Sequence, residues 1–346
     1  MGVAVVGAAG WGQNVVRAFA RARGATLRWV CDLNQGLLEG VAREFAGVAV
    51  TPSFESILAD PAVRAVAIAV DAPNHHRLVK LALQADRHVL VEKPLTLTSA
   101  DAEDLCAVAE HRGLTLMVGH LMLYHPAVVH MKTMLDAGEV GDVHYLYAQR
   151  VNLGIVRQTE NAWWSLAPHD VALAMHLLGA CPVSVSVTGG CYLQRERGIH
   201  DVAFATLRFA NGPVAHLHVS WLDPHKRRSL TVVGTRRMLS FDDALPDEKL
   251  KIYDGSALPR NGHSSYAQGV VVPVGDVRSP FLAQVEPLLA ECEHFVDCVT
   301  RGTRPRSDGR QGLAVVRVLE AGDQSMRLGG APVRIAGTLA PGEGAA

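Results

Sequence analysis

The sequence has almost no excess of charge of either sign. Its 33 lysine and arginine residues stand against 34 aspartate and glutamate residues, which gives a formal net charge of −1, and the basic residues are spread along the chain. Proteins that bind nucleic acid or an anionic membrane surface usually carry a basic patch or a large positive charge. The composition therefore predicts neither kind of partner.

Long hydrophobic runs are also lacking. Hydrophobic residues make up 49% of the chain, but they never form the run of about 20 residues that crosses a bilayer as a helix. Residues 1–6 contain none of the basic side chains that begin a secretion signal, and Val6 stands where N-myristoylation requires serine or threonine. We therefore expect a cytoplasmic protein without a membrane partner.

The cysteines show neither a C-x-x-C motif nor a zinc-ligand spacing, so we expect reduced structural thiols. They are Cys31, Cys106, Cys181, Cys191, Cys292 and Cys298. The nearest metal-ligand patterns, His75-His76 and His216-x-His218, have no cysteine or carboxylate cluster beside them, and we predict no metal site. The absence of a G-x-S-x-G motif argues against a serine hydrolase.

What the sequence does contain begins with a strand at residues 3–6, a turn, a helix at residues 13–23 and a strand at residues 26–31. In a dinucleotide-binding turn, glycines permit the tight reversal, the approach of pyrophosphate and the helix–strand contact. Gly7 and Gly12 hold the first and third of these positions, whereas Ala9 occupies the middle one. The surrounding pattern predicts a dinucleotide site; the alternative is a glycine-rich turn without a ligand.

Asp32 closes the second strand, twenty residues after Gly12. A carboxylate here accepts hydrogen bonds from ribose hydroxyls and repels a 2′-phosphate. The residues that follow, Leu33-Asn34-Gln35, supply no arginine to neutralise such a phosphate. The sequence therefore predicts NAD as the cofactor rather than NADP.

A buried strand at residues 88–91 stops at Glu92-Lys93-Pro94. Proline cannot donate to a sheet and keeps the preceding residue out of the α region, so the strand ends there. The carboxyl ends of strands form the ligand crevice of an open α/β sheet. Lys93 is thus predicted to touch both the nicotinamide and a substrate hydroxyl.

Two further segments are predicted to lie at the same edge of the sheet. The turn of residues 71–76 follows a strand at residues 64–70, and its His75 and His76 either line the cofactor or belong to a polar turn. His120 follows a strand at residues 115–118, and it either faces the crevice or caps the sheet.

Beyond residue 120 the pattern changes. Helices are predicted at residues 126–135 and 168–178, with His169 in the first turn of the second one. Strands are then predicted at 143–151, 183–191, 202–209, 214–221, 229–234 and 237–242, and helices at 280–301 and 311–328. Asn211-Gly212 is typical of a hairpin. The fold class is α/β: a doubly wound parallel sheet at residues 1–120 and a second α/β domain with a large, mostly antiparallel sheet at residues 121–346.

These features together resemble the Gfo/Idh/MocA family of nicotinamide-dependent sugar and cyclitol oxidoreductases. The motifs that carry the resemblance are the residue 7–12 turn, Asp32, Ala72-Pro73 with His75, Glu92-Lys93-Pro94, Gly119-His120 and Ser165-x-x-x-His169-Asp170. The resemblance implies a Rossmann domain for NAD and a second domain whose open sheet forms a homodimer or homotetramer. Residues 149–157 and 164–170 look like the branch that acts on nucleotide-activated sugars, such as UDP-N-acetylglucosamine-type 3-dehydrogenases.

The resemblance implies two catalytic residues, Lys93 and His169. Lys93 polarises the hydroxyl and stabilises the developing alkoxide, and His169 takes the proton. Family members commonly carry aspartate where Ser165 stands, which weakens a carboxylate relay, and Asp170 is the alternative residue to orient His169. Trp163 and Trp164 are interpreted as packing residues.

The predicted ligand contacts complete the site. The residues predicted to bind the cofactor are Gly7, Ala9, Gly10, Trp11, Gly12, Asp32, Pro73, Asn74, His75, Glu92 and Lys93. The residues predicted to bind the substrate are His120, Tyr124, Asn152, Arg157, Ser165 and Asp170.

The predicted activity is NAD-dependent oxidation of a secondary hydroxyl, at C3, of a nucleotide-activated sugar. Two alternatives within enzymes are an inositol or free-sugar dehydrogenase and a keto-sugar reductase. The alternative from another class is a non-catalytic dinucleotide-binding sensor, which would have no need of an acid–base pair.

Overall fold

The computed structural model describes residues 1–154, 156–255 and 275–337. The chain divides into two units. The first contains Met1–His125 and Val285–Arg317, and the second contains Pro126–Gln284 and Val318–Ala346. Each unit has its own sheet.

The first unit is built on a six-stranded parallel sheet. Its strands are β1 (Gly2–Val6), β2 (Thr26–Cys31), β3 (Ala49–Thr51), β4 (Ala65–Ile68), β5 (His88–Glu92) and β6 (Leu116–Gly119). In the order β3-β2-β1-β4-β5-β6, successive strands are added on one side of β1 up to β3 and on its other side from β4 onward. Doubly wound sheets bind their ligands at this switch point between β1 and β4. The strands are almost uniformly apolar because helices cover both faces.

Helices connect these strands. They are α1 (Trp11–Arg21), α2 (Gln35–Glu44), α3 (Phe54–Ala59), α4 (His75–Gln84) and α5 (Ser99–His111). Asn34, Ser53 and Thr98 cap α2, α3 and α5 by accepting hydrogen bonds from first-turn N–H groups. At the start of α5, the Thr98 hydroxyl accepts the backbone N–H of Asp101 at 3.1 Å.

The second unit contains a nine-stranded mixed sheet, the helices α6 (Pro126–Asp136) and α7 (Ala162–Leu178), and the C-terminal half of the last helix. The strands are β7 (Val143–Leu153), β8 (Pro182–Gly190), β9 (Val202–Phe209), β10 (Val214–Ser220), β11 (Leu222–Gly234), β12 (Met238–Asp242), β13 (Leu250–Tyr253), β14 (Val277–Arg278) and β15 (Val333–Arg334). Their order is β14-β13-β12-β11-β7-β10-β9-β8-β15, and only the β7–β10 pair is parallel. The predicted hairpin at Asn211-Gly212 joins β9 to β10.

One face of this second sheet is covered and the other is open. Leu146 and Ala148 of β7 are buried, whereas Tyr145 and Tyr147 between and beside them are exposed. Phe204 of β9 is exposed on the same alternation. The period of two along each strand therefore gives the sheet one covered and one exposed face.

Helix α7 begins six residues earlier than predicted. Because proline is favoured at the first helical position, the sequence pattern placed the start at Pro168, but Pro168 lies inside the helix. The start is set by Asn161, whose side chain accepts the N–H of Trp164 at 2.9 Å. His169 consequently lies in the middle of α7 rather than in its first turn. The prediction for β11 was also too short, since that strand begins at Leu222.

The closing helices correct the predicted domain division. Helix α8 (Pro287–Arg301) starts at Pro287 rather than at residue 280, and α9 (Gly309–Arg327) follows it. α8 belongs to the first unit, where Phe295 packs edge-on against Phe19 of α1 with ring centroids 6.4 Å apart. The predicted second domain therefore wrongly included residues 285–317. Within the described residues, no helix has the length and apolarity that a membrane span requires.

Candidate active site

The residue 7–12 turn leaves no room for a side chain at its first and last positions. A Cβ on Gly7 would lie 2.4 Å from the Ala69 carbonyl oxygen, and one on Gly12 would lie 2.1 Å from the Gly7 carbonyl oxygen. Gly10, at φ +52°, has the left-handed backbone that favours glycine. Close contacts thus require glycine at positions 7 and 12, and backbone conformation favours it at position 10. Position 9 has neither constraint, so an alanine fits there.

The turn leads into the N-terminus of α1. Within the described residues, no side chain caps this end, and the first turn contains no acidic residue. Free N–H groups at a helix N-terminus carry partial positive charge and bind phosphate oxygens. The turn and helix end therefore fit the pyrophosphate of a dinucleotide.

Asp32 fixes the same turn from the end of β2. One carboxylate oxygen accepts the backbone N–H of Ala8 at 2.7 Å, and the other accepts the N–H of Asn34 at 2.8 Å. The side chain is only half-buried. Each carboxylate oxygen keeps a further lone pair for a ribose hydroxyl, as the predicted cofactor role requires.

Glu92 joins the glycine turn to the end of β5. Its carboxylate accepts the indole N–H of Trp11 at 2.6 Å and the backbone N–H of Lys93 at 3.2 Å. A Cβ on Gly119 would lie 3.1–3.2 Å from the Glu92 carboxyl atoms, so Gly119 leaves the space that this carboxylate occupies. The next peptide bond, Lys93–Pro94, is cis. The hydrogen bond from the Lys93 backbone to Glu92 therefore fixes Lys93 at the carboxyl end of β5.

His75 does not have the position predicted for a cofactor contact. It is buried, and its ring nitrogens lie 2.8 Å from the Pro94 carbonyl oxygen and 3.0 Å from the Val70 carbonyl oxygen. The imidazole thus connects the ends of β4 and β5 from within the unit. Pro73 and Asn74, which precede it, are exposed at this edge of the sheet, where the prediction placed them.

The two residues predicted after β6 have different surroundings. His120 is 1% exposed, and neither ring nitrogen has a hydrogen-bond partner among the described residues. Burial, together with the charge of Lys93, lowers the pKa of His120 to about 3, so its imidazole is neutral. Tyr124 is buried, its hydroxyl hydrogen-bonds to Ser307, and the Arg306 guanidinium covers its ring. The prediction of Tyr124 as a substrate contact is corrected by these packing contacts.

In the second unit, α7 carries His169 and Ser165 one helical turn apart, on the same face. Trp163 and Trp164 fix the start of this helix: their indole N–H groups donate to the Leu319 carbonyl oxygen at 3.0 Å and to Asp323 at 2.6 Å. Both tryptophans are buried, which confirms their interpretation as packing residues.

Asp170 pairs with Arg150, a residue that the sequence had not singled out. The guanidinium of Arg150, on β7, donates to both carboxylate oxygens of Asp170 at 2.8–3.1 Å. Asp170 is 2% exposed. Burial raises the pKa of the Asp170 carboxyl, and the Arg150 charge opposes that rise. Both oxygens of Asp170 are thus engaged in joining α7 to β7, which corrects its prediction as a substrate contact.

The remaining substrate candidates follow the end of β7. Asn152 is half-buried, and Arg157 is exposed, with Glu160 3.7 Å from its guanidinium. In the described part of the chain, no group of three or more histidine, cysteine, aspartate or glutamate residues is arranged to hold a metal ion. All six cysteines lie in that part, and no disulfide bond joins any of them there.

The sequence reasoning also missed Glu291, a buried acid on α8. Leu288, Glu291, Cys292 and Phe295 lie at the i, i+3, i+4 and i+7 positions of one apolar stripe. An acidic residue inside an apolar helical stripe was the signal in the sequence by which Glu291 could have been recognised. Glu291 and Glu92 line the same small cavity.

Comparisons with known proteins agree with this geometry. Residues 1–120 match the model of the GFO/IDH/MocA oxidoreductase family, described as an NAD-binding Rossmann fold, and residues 128–240 match the C-terminal domain model of that family. The chain is 30% identical to the UDP-N-acetylglucosamine 3-dehydrogenase of Acidithiobacillus ferrooxidans over 268 residues, which cover 77% of this chain and 79% of that protein. The solved structure of that dehydrogenase superposes with a TM-score of 0.79, covering 95% of this chain and 98% of the other.

Two further relatives broaden the range of similar proteins. The NAD(+)-dependent scyllo-inositol 2-dehydrogenase of Bacillus subtilis is 27% identical over 292 residues, 82% of this chain and 81% of that protein. The crystal structure of GenD2 from gentamicin A biosynthesis, in complex with NAD, is 26% identical and has a TM-score of 0.80 over 96% of each chain.

Proposed function

Because this chain belongs to the Gfo/Idh/MocA family of NAD-binding oxidoreductases, we propose that it oxidises the C3 hydroxyl of a nucleotide-activated sugar to a ketone. The observation that carries the proposal is Lys93, held at the carboxyl end of β5 beside a glycine turn suited to a dinucleotide. The similarity to a UDP-N-acetylglucosamine 3-dehydrogenase over most of the chain supports the substrate class.

The cofactor contacts follow from the first unit. The α1 N-terminus and the glycine turn hold the pyrophosphate, and Asp32 accepts from the ribose hydroxyls. Trp11, Pro73 and Asn74 are exposed at this edge. NAD, when bound, supplies the hydride acceptor at the nicotinamide ring.

Lys93 and His169 then have different roles at the sugar hydroxyl. The Lys93 ammonium donates to the hydroxyl oxygen and stabilises the negative charge that develops on it. His169 accepts the hydroxyl proton as the C–H bond of the same carbon breaks and its electron pair leaves as hydride. The balanced result is a ketone, reduced nicotinamide and one proton on the imidazole, so both residues must converge on one carbon atom.

The second unit is proposed to hold the substrate. Arg157 has the planar, two-pronged donor that suits a diphosphate, and its exposed position leaves it accessible. Asn152 and Ser165 supply short polar groups for sugar hydroxyls. Asp170 acts indirectly, because its ion pair with Arg150 fixes the segment of α7 that carries His169.

A substrate panel tests the proposal. The enzyme is incubated with NAD and with UDP-sugars, TDP-sugars, free hexoses and inositols, and the absorbance of reduced nicotinamide is followed. We expect turnover with a nucleotide sugar, and the ketone is located at C3 by mass spectrometry after borodeuteride reduction. Turnover with free inositol alone would favour the inositol dehydrogenase alternative, which the Bacillus subtilis relative supports.

We also propose that the protein forms a homodimer or homotetramer through the open face of the second sheet. Tyr145, Tyr147 and Phe204 are exposed on this face. Tyrosine and phenylalanine are enriched at protein–protein interfaces relative to the rest of the protein surface. Their exposure on this face therefore supports an interface there.

A further inference from the structure

A small cavity in the first unit contains two carboxylic side chains. Apolar residues form most of its lining, and the two acids are Glu92 at the end of β5 and Glu291 on α8. The apolar lining residues are Val15, Ala67, Ile68, Leu90 and Leu288. Carboxylates are strongly disfavoured in such surroundings unless they are paired or protonated, so the cavity raises the question of which acid carries a proton.

Glu291 has the weaker set of contacts. It is 1% exposed, and its Oε1 atom has no hydrogen-bond partner among the described residues. The other carboxylates of α8 are on its solvent side and pair with arginines: Glu293 binds Arg23 at 2.9 Å. Glu291 is therefore an acid whose ionised form nothing on its own helix compensates.

Glu92, in contrast, is held as a hydrogen-bond acceptor. The Trp11 indole and the Lys93 backbone both donate to its carboxylate, and both bonds favour the ionised form. Burial raises the pKa of Glu92, and the two hydrogen bonds and the Lys93 charge oppose that rise. A proton shared by the two acids therefore belongs on Glu291.

The other titratable groups around the pair do not supply a second cation. Burial lowers the pKa of His120, and burial together with the charge of Glu291 raises the pKa values of Tyr124 and Cys292, so all three are neutral at pH 7. Lys93 is the cation that acts on Glu92. Among the described residues, the charge of Lys93 therefore acts on Glu92, while the Arg306 guanidinium lies over the neighbouring Tyr124 ring.

We propose that Glu92 and Glu291 hold one proton between them at neutral pH, carried by Glu291, and that Glu291 is a positioning residue that keeps Glu92 in place. Two acids that share one desolvated space do not both ionise. Glu92 contacts both Trp11 and Lys93, so its placement reaches the glycine turn and the proposed catalytic lysine. The inference rests on the proposed function only for the role of Lys93.

The sign of the pH dependence follows from the pKa shift. Burial and the charge of Glu92 raise the pKa of Glu291 well above its usual range. The folded state therefore binds a proton that the unfolded chain releases, and the stability of the folded state falls as pH rises from the ordinary glutamate pKa of about 4.5 through the raised one. The substitution Glu291→Gln removes this loss of stability at high pH.

The first test detects the proton directly in the free enzyme. The infrared spectrum at neutral pH is recorded for wild type, Glu291→Gln and the control Glu293→Gln, which changes a half-buried acid of the same helix that pairs with Arg23. We expect wild type and the control to share the carbonyl band of a protonated carboxylic acid and Glu291→Gln to lose it. An unchanged band in Glu291→Gln would overturn the proposal, whatever the substrate proves to be.

The second test measures stability against pH, also without ligands. Glu291→Gln should unfold at a higher temperature than wild type at about pH 9 and at nearly the same temperature at about pH 5. Glu293→Gln should run parallel to wild type across this range. A constant difference between Glu291→Gln and wild type at all pH values would show that Glu291 carries no linked proton.

The third test separates positioning from simple packing. Glu291→Gln keeps the shape and hydrogen-bonding ability of the acid, so it should retain kcat, whereas Glu291→Ala should lose about tenfold or more in kcat because Glu92 and Lys93 shift. Binding of NAD, followed by tryptophan fluorescence, should weaken only in Glu291→Ala. Equal kcat in the two variants would contradict the positioning role. If Glu291→Ala fails to fold, a low kcat in Glu291→Gln alone would contradict it.

Discussion

The position of Lys93 depends on its immediate neighbours. Glu92 accepts its backbone N–H at 3.2 Å, and the buried Pro94 follows it in the chain. The ammonium of this residue is the proposed donor to the reacting oxygen. A side chain of similar length without the charge should therefore bind NAD and fail in the chemical step.

Lys93→Met tests this role. We expect kcat to fall by about 10²–10³-fold, the loss typical of removing one donor to a developing oxyanion, with little change in the Kd of NAD. Lys80→Met is the control, because Lys80 forms an ion pair with Asp104 on the surface. Wild-type kcat in Lys93→Met would show that the lysine takes no part in the reaction.

Asp32 has two proposed roles. It holds the residue 7–12 turn in place, and its negative charge repels the 2′-phosphate of NADP. Asp32→Asn keeps an acceptor oxygen but removes the negative charge, so the NADP-to-NAD ratio of kcat/KM should rise by about tenfold, equivalent to about 1.4 kcal/mol. Asp60→Asn is the matched control, since Asp60 also binds backbone and indole N–H groups. An unchanged cofactor ratio in Asp32→Asn would contradict the assignment.

At the scale of elements, the Arg150–Asp170 pair joins α7 to β7 inside the second unit. Breaking a buried pair from one side leaves an uncompensated charge, so Arg150→Met should lower the free energy of unfolding by about 3–5 kcal/mol. Urea unfolding followed by circular dichroism measures the change.

Two further variants make that result specific. Arg157→Met removes an exposed partner of Glu160 and should change the free energy by less than about 1 kcal/mol. The double variant Arg150→Met/Asp170→Leu should recover most of the lost stability, because no buried charge remains. A double variant as unstable as Arg150→Met would mean that packing, rather than the unpaired charge, explains the loss.

The elements that the sequence predicted well are those with a strong local signal. Strand β2 and strand β9 match their predicted bounds, since apolar runs and alternation define them. The glycine turn was also predictable, because steric demands leave few residue types that fit it. The strands β13, β14 and β15 were missed because two to four residues give too short a period.

Other features required information that is not local. The start of α7 depends on Asn161 and on two buried tryptophans that bind α9, so a rule for proline placed it wrongly. The pairing of Arg150 with Asp170 depends on how β7 lies against α7. The membership of α8 in the first unit follows from its contact with α1 across more than 260 residues of chain.

At the scale of the whole molecule, the proposed assembly uses the open face of the second sheet. A charge placed among its exposed aromatic residues should oppose association, so Tyr147→Glu should reduce the molar mass in light scattering to that of one chain, 37.1 kDa. Arg195→Glu, on a short helix outside the sheet, is the control. Unchanged mass in Tyr147→Glu would place the interface elsewhere.

The proposed reaction requires both units, since Lys93 lies in the first and His169 in the second. The most direct test of this account follows the hydrogen that leaves the sugar. The enzyme is given NAD and a UDP-N-acetylhexosamine that carries deuterium at C3, and the reduced cofactor is analysed by mass spectrometry. The account predicts deuterated reduced nicotinamide from wild type, and the same product formed about 10²–10³-fold more slowly by Lys93→Met. If the wild-type enzyme instead formed unlabelled reduced nicotinamide at its usual rate, the hydride would be leaving another carbon. That result would contradict the proposed function.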